Sequence, residues 1–175
     1  RIPSLGGEVF RRAGGVPITM QVSEVFTALQ TGALDATEFV SPYNDLAAGY
    51  HTVADYYYYP GWHEPGSTLE TIFNKERFEE LPEDLQEILL AGTEVMNQLL
   101  LDELTAKNNE ALRALVEDHN VELRRLPDDV LIELRRISDE VVTEMAQADE
   151  ATARVYESWK NFKDGVMNYN GIAEE

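Results

Sequence analysis

The sequence predicts an α/β fold: a parallel-rich sheet with short helices, followed by long helices. Two patterns carry that expectation. Residues 1–75 alternate short apolar runs with short helical patterns in steps of about 20 residues, the rhythm of strand–helix units in a parallel sheet. Residues 76–175 lose that rhythm and read as long amphipathic helices broken by one short strand. The expected division is therefore an α/β part at 1–75 that carries the site, and a part at 76–175 of long helices and one short strand.

Arg1 to Leu5 reads as a strand, Gly6-Gly7 as a tight turn, and Glu8 to Ala13 as a helix stopped by Gly14-Gly15. Val16 to Gln21 reads as a second strand. Ser23 is the expected N-cap of a helix over Glu24 to Gln30, with Val25, Phe26 and Leu29 at helical spacing and Gly32 as its stop. Asp35 to Val40 is a third strand, and Pro42 starts a short helix over Tyr43 to Tyr50. Tyr56 to Tyr59 suits a strand covered on both faces. The Pro/Gly-framed loop Pro60 to Gly66 follows, and Ser67 to Phe73 is another strand candidate. Pro82-Glu83-Asp84 opens a long helix to about His119, with its first-turn acids matched to the helix dipole. Its apolar stripe runs from Leu85 to Leu115. Val121 to Leu126 is a strand. Pro127 starts a helix to about Ala148, and a last helix covers Glu150 to Tyr169 with Val155, Trp159 and Phe162 on it.

The 175 residues carry a formal net charge of -19 and no cysteine. So acidic a surface repels phosphate backbones, which sets nucleic acid aside as a partner. No apolar run approaches the roughly 18 residues of a membrane span. The charge is uneven: 8 acidic and 4 basic residues lie in 1–75, against 25 acidic and 10 basic in 76–175. A small anion is better tolerated in the first part. Thiolate catalysis, disulfides and zinc–thiolate sites are excluded. The opening Arg1-Ile2-Pro3, without an initiator Met, reads as a fragment or processed piece.

Three constellations carry chemistry. Glu38 lies at the carboxyl end of an expected strand, where open α/β sheets bind ligands, beside Phe39 and the Pro42-Tyr43 helix start. A carboxylate there suits a hard cation or a ligand hydroxyl, and equally a solvated loop position. Trp62-His63-Glu64 offers a pocket wall, an imidazole and a second carboxylate. His63 with Glu64 as an acid–base pair is the enzymatic alternative, but no HExxH motif or Ser-His-Asp arrangement supports it. A lone His in such a loop more often makes a structural hydrogen bond. Arg1, next to a proline, suits a two-pronged bond to a carboxylate, although a terminal Arg is commonly solvated. A purely structural helical assembly module is the third alternative.

Four separated stretches then fall together: Arg1-Ile2-Pro3-Ser4-Leu5-Gly6-Gly7-Glu8-Val9, the run from Glu24 to Glu38, Pro42-Tyr43-Asn44-Asp45-Leu46, and Tyr57-Tyr58-Tyr59-Pro60-Gly61-Trp62-His63-Glu64-Pro65-Gly66. In these, in family order and over nearly the whole chain, the sequence resembles the DctP-type solute-binding proteins of TRAP transporters. It is most similar to the subgroup that captures 2-oxo acids and related monocarboxylates such as pyruvate or lactate. Members are about twice as long, and this chain resembles their C-terminal half. The resemblance implies one portion of a two-lobed periplasmic-binding-protein fold, with no catalysis, and export to the periplasm by a signal outside this chain. It implies delivery of a small carboxylate to the membrane permease subunits, and in some members a homodimer through the C-terminal helix.

The resemblance also implies site residues. Arg1 matches the Arg that clamps the ligand carboxylate. Glu38, the backbone carbonyl of Phe39, and Glu64 match the ligands of a sodium or calcium ion that bridges protein and solute. Tyr43 joins Arg1, Glu38, Phe39 and Glu64 among the expected ligand-binding residues. Phe39 departs from the Trp expected in close relatives, which predicts an altered pocket wall. The electrostatics agree: Glu38 and Glu64 repel an anion unless a cation stands between, and oxygen donors favour sodium or calcium over transition metals.

Overall fold

A computed structural model describes residues 1–66 and 69–173. Two compact units are present. The first comprises Arg1 with Met20–Leu126, and the second Ile2–Thr19 with Pro127–Glu175.

In the first unit, α2 (Val22–Gln30) starts after an extended Gln21 and places Glu24 in its first turn. Ser23 therefore lies inside the helix rather than capping it. Val25 and Ala28 face inward and form a core with Leu34 and Tyr50, against which Met20, Phe26, Leu29, Phe39 and Ala48 pack. The helix ends as expected at Gly32, whose φ of 73° is costly for any residue with a Cβ. Gly32 N donates to Leu29 O at 3.1 Å and Ala33 N to Ala28 O at 2.9 Å, the paired bonds of a Schellman ending.

The stretch 35–41 is extended but forms no strand. A strand exists only where its backbone finds a ladder partner, and here the pairing is a single bridge. Arg1 N donates to Ala36 O at 2.6 Å, and Glu38 N donates to Arg1 O at 3.2 Å. That is the parallel pattern, one pair long.

Helix α3 (Pro42–Ala47) has proline in its first turn and is followed by one 3-10 turn at Tyr50–Thr52. Strand β1 (Tyr56–Tyr59) pairs in parallel with β2 (Glu122–Arg125), Tyr56 opposite Glu122 and Tyr59 opposite Arg125. This is the small parallel sheet of the α/β class. Among the described residues only Tyr57 of the four tyrosines is half-buried; the others are exposed, contrary to the two-sided cover expected. The Arg124 guanidinium lies 3.9 Å over the Tyr56 ring.

The strand candidate at 67–73 does not form over 69–73, and Ser67 and Thr68 lie outside the described residues. A short helix absent from the sequence reading, α4 (Lys75–Glu79), is capped by Asn74, whose side chain accepts from Arg77 N at 3.0 Å. Helix α5 (Glu83–Glu117) begins after Pro82 as expected and ends one residue before Asp118. Ala111 and Leu115 are buried, whereas Leu85, Ile88, Leu89, Val95, Met96 and Leu99 are exposed. The apolar stripe is thus core only in its last turns.

In the second unit, α1 (Ser4–Arg12) starts four residues earlier than the sequence suggests, so Gly6 and Gly7 are helical and residues 1–5 form no strand. Residues 16–21 are also without a ladder; Ile2 N to Ile18 O at 3.3 Å is the one bond between the two extended runs that is described. Helix α6 (Asp128–Ala146) buries Leu134, Ile137 and Val141, a stripe at helical spacing, and packs against α1, where Val9 is buried. Arg12 clamps Glu144 of α6 with both terminal nitrogens, at 3.0 and 2.7 Å. Helix α7 (Glu150–Ala173) has no buried residue among those described; Trp159, Phe162 and Tyr169 are exposed.

Gly7 is required by crowding rather than by a turn: a Cβ there would sit 2.7 Å from the Ile2 carbonyl oxygen. Alanine at an open helical glycine gains up to about 1 kcal/mol. Gly7→Ala is instead expected to lose about 1–3 kcal/mol, because backbone must move to admit it. The control is Gly165→Ala in α7, where an added Cβ meets nothing within 4 Å. Urea midpoints check this; a Gly7→Ala midpoint equal to or above that of the parent refutes it.

Candidate functional site

The single parallel bridge sets Arg1 beside the extended segment carrying Glu38. The Arg1 guanidinium donates through Nη1 to Glu38 Oε1 in a very short contact. The other carboxylate oxygen, Oε2, lies 3.3 Å from His63 Nε2. These side chains are 15%, 13% and 20% exposed, low values for charged and polar groups, so their interactions are only partly screened by water. One ligand atom each from Glu38, His63 and Glu64 falls within a group spanning no more than 4.8 Å. The Trp62 ring stands edge-on to His63, 5.4 Å away.

Arg1 Nε is buried and has no hydrogen-bond partner among the described residues. A guanidinium is a fork of donors shaped for a two-oxygen anion. Here one prong is spent on Glu38 and a second N–H faces no acceptor. An unmade bond of this kind is costly, and a carboxylate brought to Arg1 would satisfy it.

The donor set also fits a cation. Two carboxylates and one imidazole converge, with Arg1 paired to Glu38. The oxygens suit a hard ion of the sodium or calcium kind.

The remaining expected residues take different places. The Phe39 side chain packs in the first unit's core, edge-on to Tyr50 with ring centroids 5.4 Å apart. Its ring is partly buried against that core. Tyr43 engages α5: its N–H donates to Asn108 Oδ1 at 3.0 Å, and Lys107 Nζ donates to its hydroxyl at 3.4 Å. Its polar partners are not in the Glu38 group.

Three contacts escaped the sequence. His63 joins Glu38 across 25 positions, for which no spacing rule exists. Asp45 accepts from the Tyr57 hydroxyl at 2.5 Å and from Val40 N at 3.5 Å. Burial pushes the Asp45 carboxyl above its ordinary range, against the pull of those two donors, and the Glu38 charge adds to the rise. Burial and Asp45 together push the Tyr57 hydroxyl far up. His51 and His119, scattered in sequence, stack with ring centroids 4.1 Å apart.

Known proteins share this fold. The chain is 37% identical over 174 residues to the monocarboxylate 2-oxoacid-binding periplasmic protein of Nostoc sp., covering 99% of this chain and 48% of that one. A TRAP periplasmic solute-binding protein from Colwellia psychrerythraea, solved with bound calcium and pyruvate, superposes with a TM-score of 0.92 at 32% identity. It covers 99% of this chain, which in turn covers 53% of it. Its counterpart from Pseudoalteromonas atlantica, with bound sodium and pyruvate, gives 0.90 at 35% identity over the same shares. The chain thus spans about half the length of the relatives it matches. Residues 1–149 match the DctP family. The chain belongs to that family, the bacterial extracellular solute-binding proteins of family 7.

Proposed function

We propose that this chain carries the ligand-clamping part of a periplasmic solute-binding protein of a TRAP transporter. It holds a small 2-oxo monocarboxylate such as pyruvate, or lactate, without chemical change, for delivery to the membrane permease. Arg1 binds the carboxylate. Glu38, Glu64 and the Phe39 carbonyl hold a sodium or calcium ion that bridges protein and solute. The observation that carries the reading is the buried, unpartnered Arg1 Nε beside a carboxylate-rich, cation-capable cluster. Relatives solved with pyruvate and either calcium or sodium support it.

The test is calorimetry on the full-length protein in chelator-treated potassium buffer. Pyruvate, 2-oxobutyrate and lactate are titrated without added ion, with sodium, and with calcium. Binding of at least one acid in the presence of a cation is expected, weakened at least about tenfold without it, a loss near 1.4 kcal/mol. No heat from any acid with either ion refutes the reading.

A further inference from the structure

Asp45 is a partly buried carboxylate that no part of the clamp uses, and its burial is unfavourable to its charge. An asparagine would keep both contacts without a charge to desolvate, its Oδ1 accepting from Val40 N and its Nδ2 donating to a Tyr57 hydroxyl turned to accept. What the carboxylate adds is negative charge, and it is directed at one peptide. Its Oδ1 accepts the N–H of Val40, and its Oδ2 is anchored by the Tyr57 hydroxyl from β1. Val40 N–H belongs to the same planar amide as the Phe39 carbonyl. That amide is trans, so the carbonyl points away from Asp45. On the other side of the α-carbon, the Phe39 ring is fixed in the core against Tyr50. The peptide is thereby held at both ends.

We propose that Asp45, anchored by Tyr57, is the residue that positions and polarises the Phe39–Val40 peptide so that its carbonyl binds the cation. The inference rests on the reading that the Phe39 carbonyl is a cation ligand. A hydrogen bond from the amide N–H to a carboxylate draws electron density toward the carbonyl oxygen of the same unit, making it a stronger donor to a metal ion. The fixed negative charge of Asp45 adds an attraction proportional to the charge of the ion. Asp45 therefore tilts the site toward divalent ions.

The experiment measures calcium and sodium affinity by calorimetry on the full-length protein with saturating pyruvate, for the parent, Asp45→Asn, Tyr57→Phe and Glu38→Gln. Melting temperature without either ion reports on folding. Because the lost attraction scales with ion charge, a sodium affinity lowered about fivefold in Asp45→Asn goes with a calcium affinity lowered about 25-fold. Tyr57→Phe keeps the charge and loosens the anchor, so both ions weaken alike, by about threefold. General loosening of the fold would lower both affinities equally in Asp45→Asn and depress its ion-free melting temperature. That result overturns the proposal, as does calcium binding in Asp45→Asn indistinguishable from the parent. If Asp45→Asn does not fold, an equal threefold loss in Tyr57→Phe at the parent's ion-free melting temperature sustains the proposal, and no loss, or a loss with a depressed melting temperature, overturns it. A parent that binds neither ion, or a Glu38→Gln variant that binds both as the parent does, overturns the underlying cation reading instead.

Discussion

Arg1→Ala in the full-length protein is expected to lower pyruvate affinity about 100-fold and, in the absence of pyruvate, to raise calcium affinity about tenfold. The opposite signs follow from one contact. A charge-assisted hydrogen bond contributes about 1.5–3 kcal/mol, and a two-pronged carboxylate would make two of them with Arg1. Some of that is lost to solvent at 15% exposure, which leaves about 2.7 kcal/mol, or 100-fold. Without Arg1 the incoming anion meets the Glu38 carboxylate, repulsive unless a cation is already in place. For calcium the sign reverses, because Arg1 is itself a tethered cation competing for Glu38 Oε1. Arg1→Lys keeps the charge but not the fork, and falls between. Calorimetry in both orders of addition reads the two effects. Parallel losses of both ligands, or unchanged pyruvate binding, would contradict the assignment.

The elements that were legible in the sequence are those whose signals are local. Pro82 with its first-turn acids places the start of α5, Pro127-Asp128-Asp129 the start of α6, and Gly32 the end of α2. Each is a matter of capping, dipole or backbone conformation within a few residues. The strands expected at 1–5, 16–21 and 35–40 failed because a strand is a property of two segments. Those runs are apolar and extended, yet Arg1 with the 36–38 backbone makes a bridge only one pair long. Gly7 misled for a related reason: it suggests a turn, while its true constraint is the Ile2 carbonyl five residues earlier. At the candidate site, the family motifs singled out Arg1, Glu38 and Glu64, and the fold pairs Arg1 with Glu38 and groups Glu38 with Glu64. The Glu38–His63 and Asp45–Tyr57 contacts join positions 25 and 12 apart, with no motif to announce them. Phe39 as a core residue follows only once the 20–50 segment is folded around Val25 and Tyr50.

Glu38→Gln is expected to weaken the dependence of pyruvate binding on the cation. In the parent, both oxygens of Glu38 are engaged, one by Arg1 and one by His63. A carboxylate arriving alone would draw Arg1 away and strand Glu38. A cation arriving alone would draw Glu38 away and strand Arg1. When both arrive, one ion pair is exchanged for two, and no charge is left unpaired where only 13–15% of the side-chain surface sees water. The two ligands must therefore help each other, by about 2 kcal/mol or roughly 30-fold, and by the same factor whichever is added first. Glutamine has the shape of Glu38 without its charge, so there is nothing for the cation to release. The coupling factor should fall to what the cation's own contact with the solute supplies, with calcium affinity down about 100-fold. Arg1, left without its counter-ion, should cost the empty variant about 1–3 kcal/mol of stability. Pyruvate should then raise its melting temperature even in chelator, because the ligand carboxylate becomes the partner Arg1 lacks. A coupling factor in Glu38→Gln as large as in the parent would mean that the cation and the carboxylate communicate through some other group, and that the Arg1–Glu38 pair is only a brace.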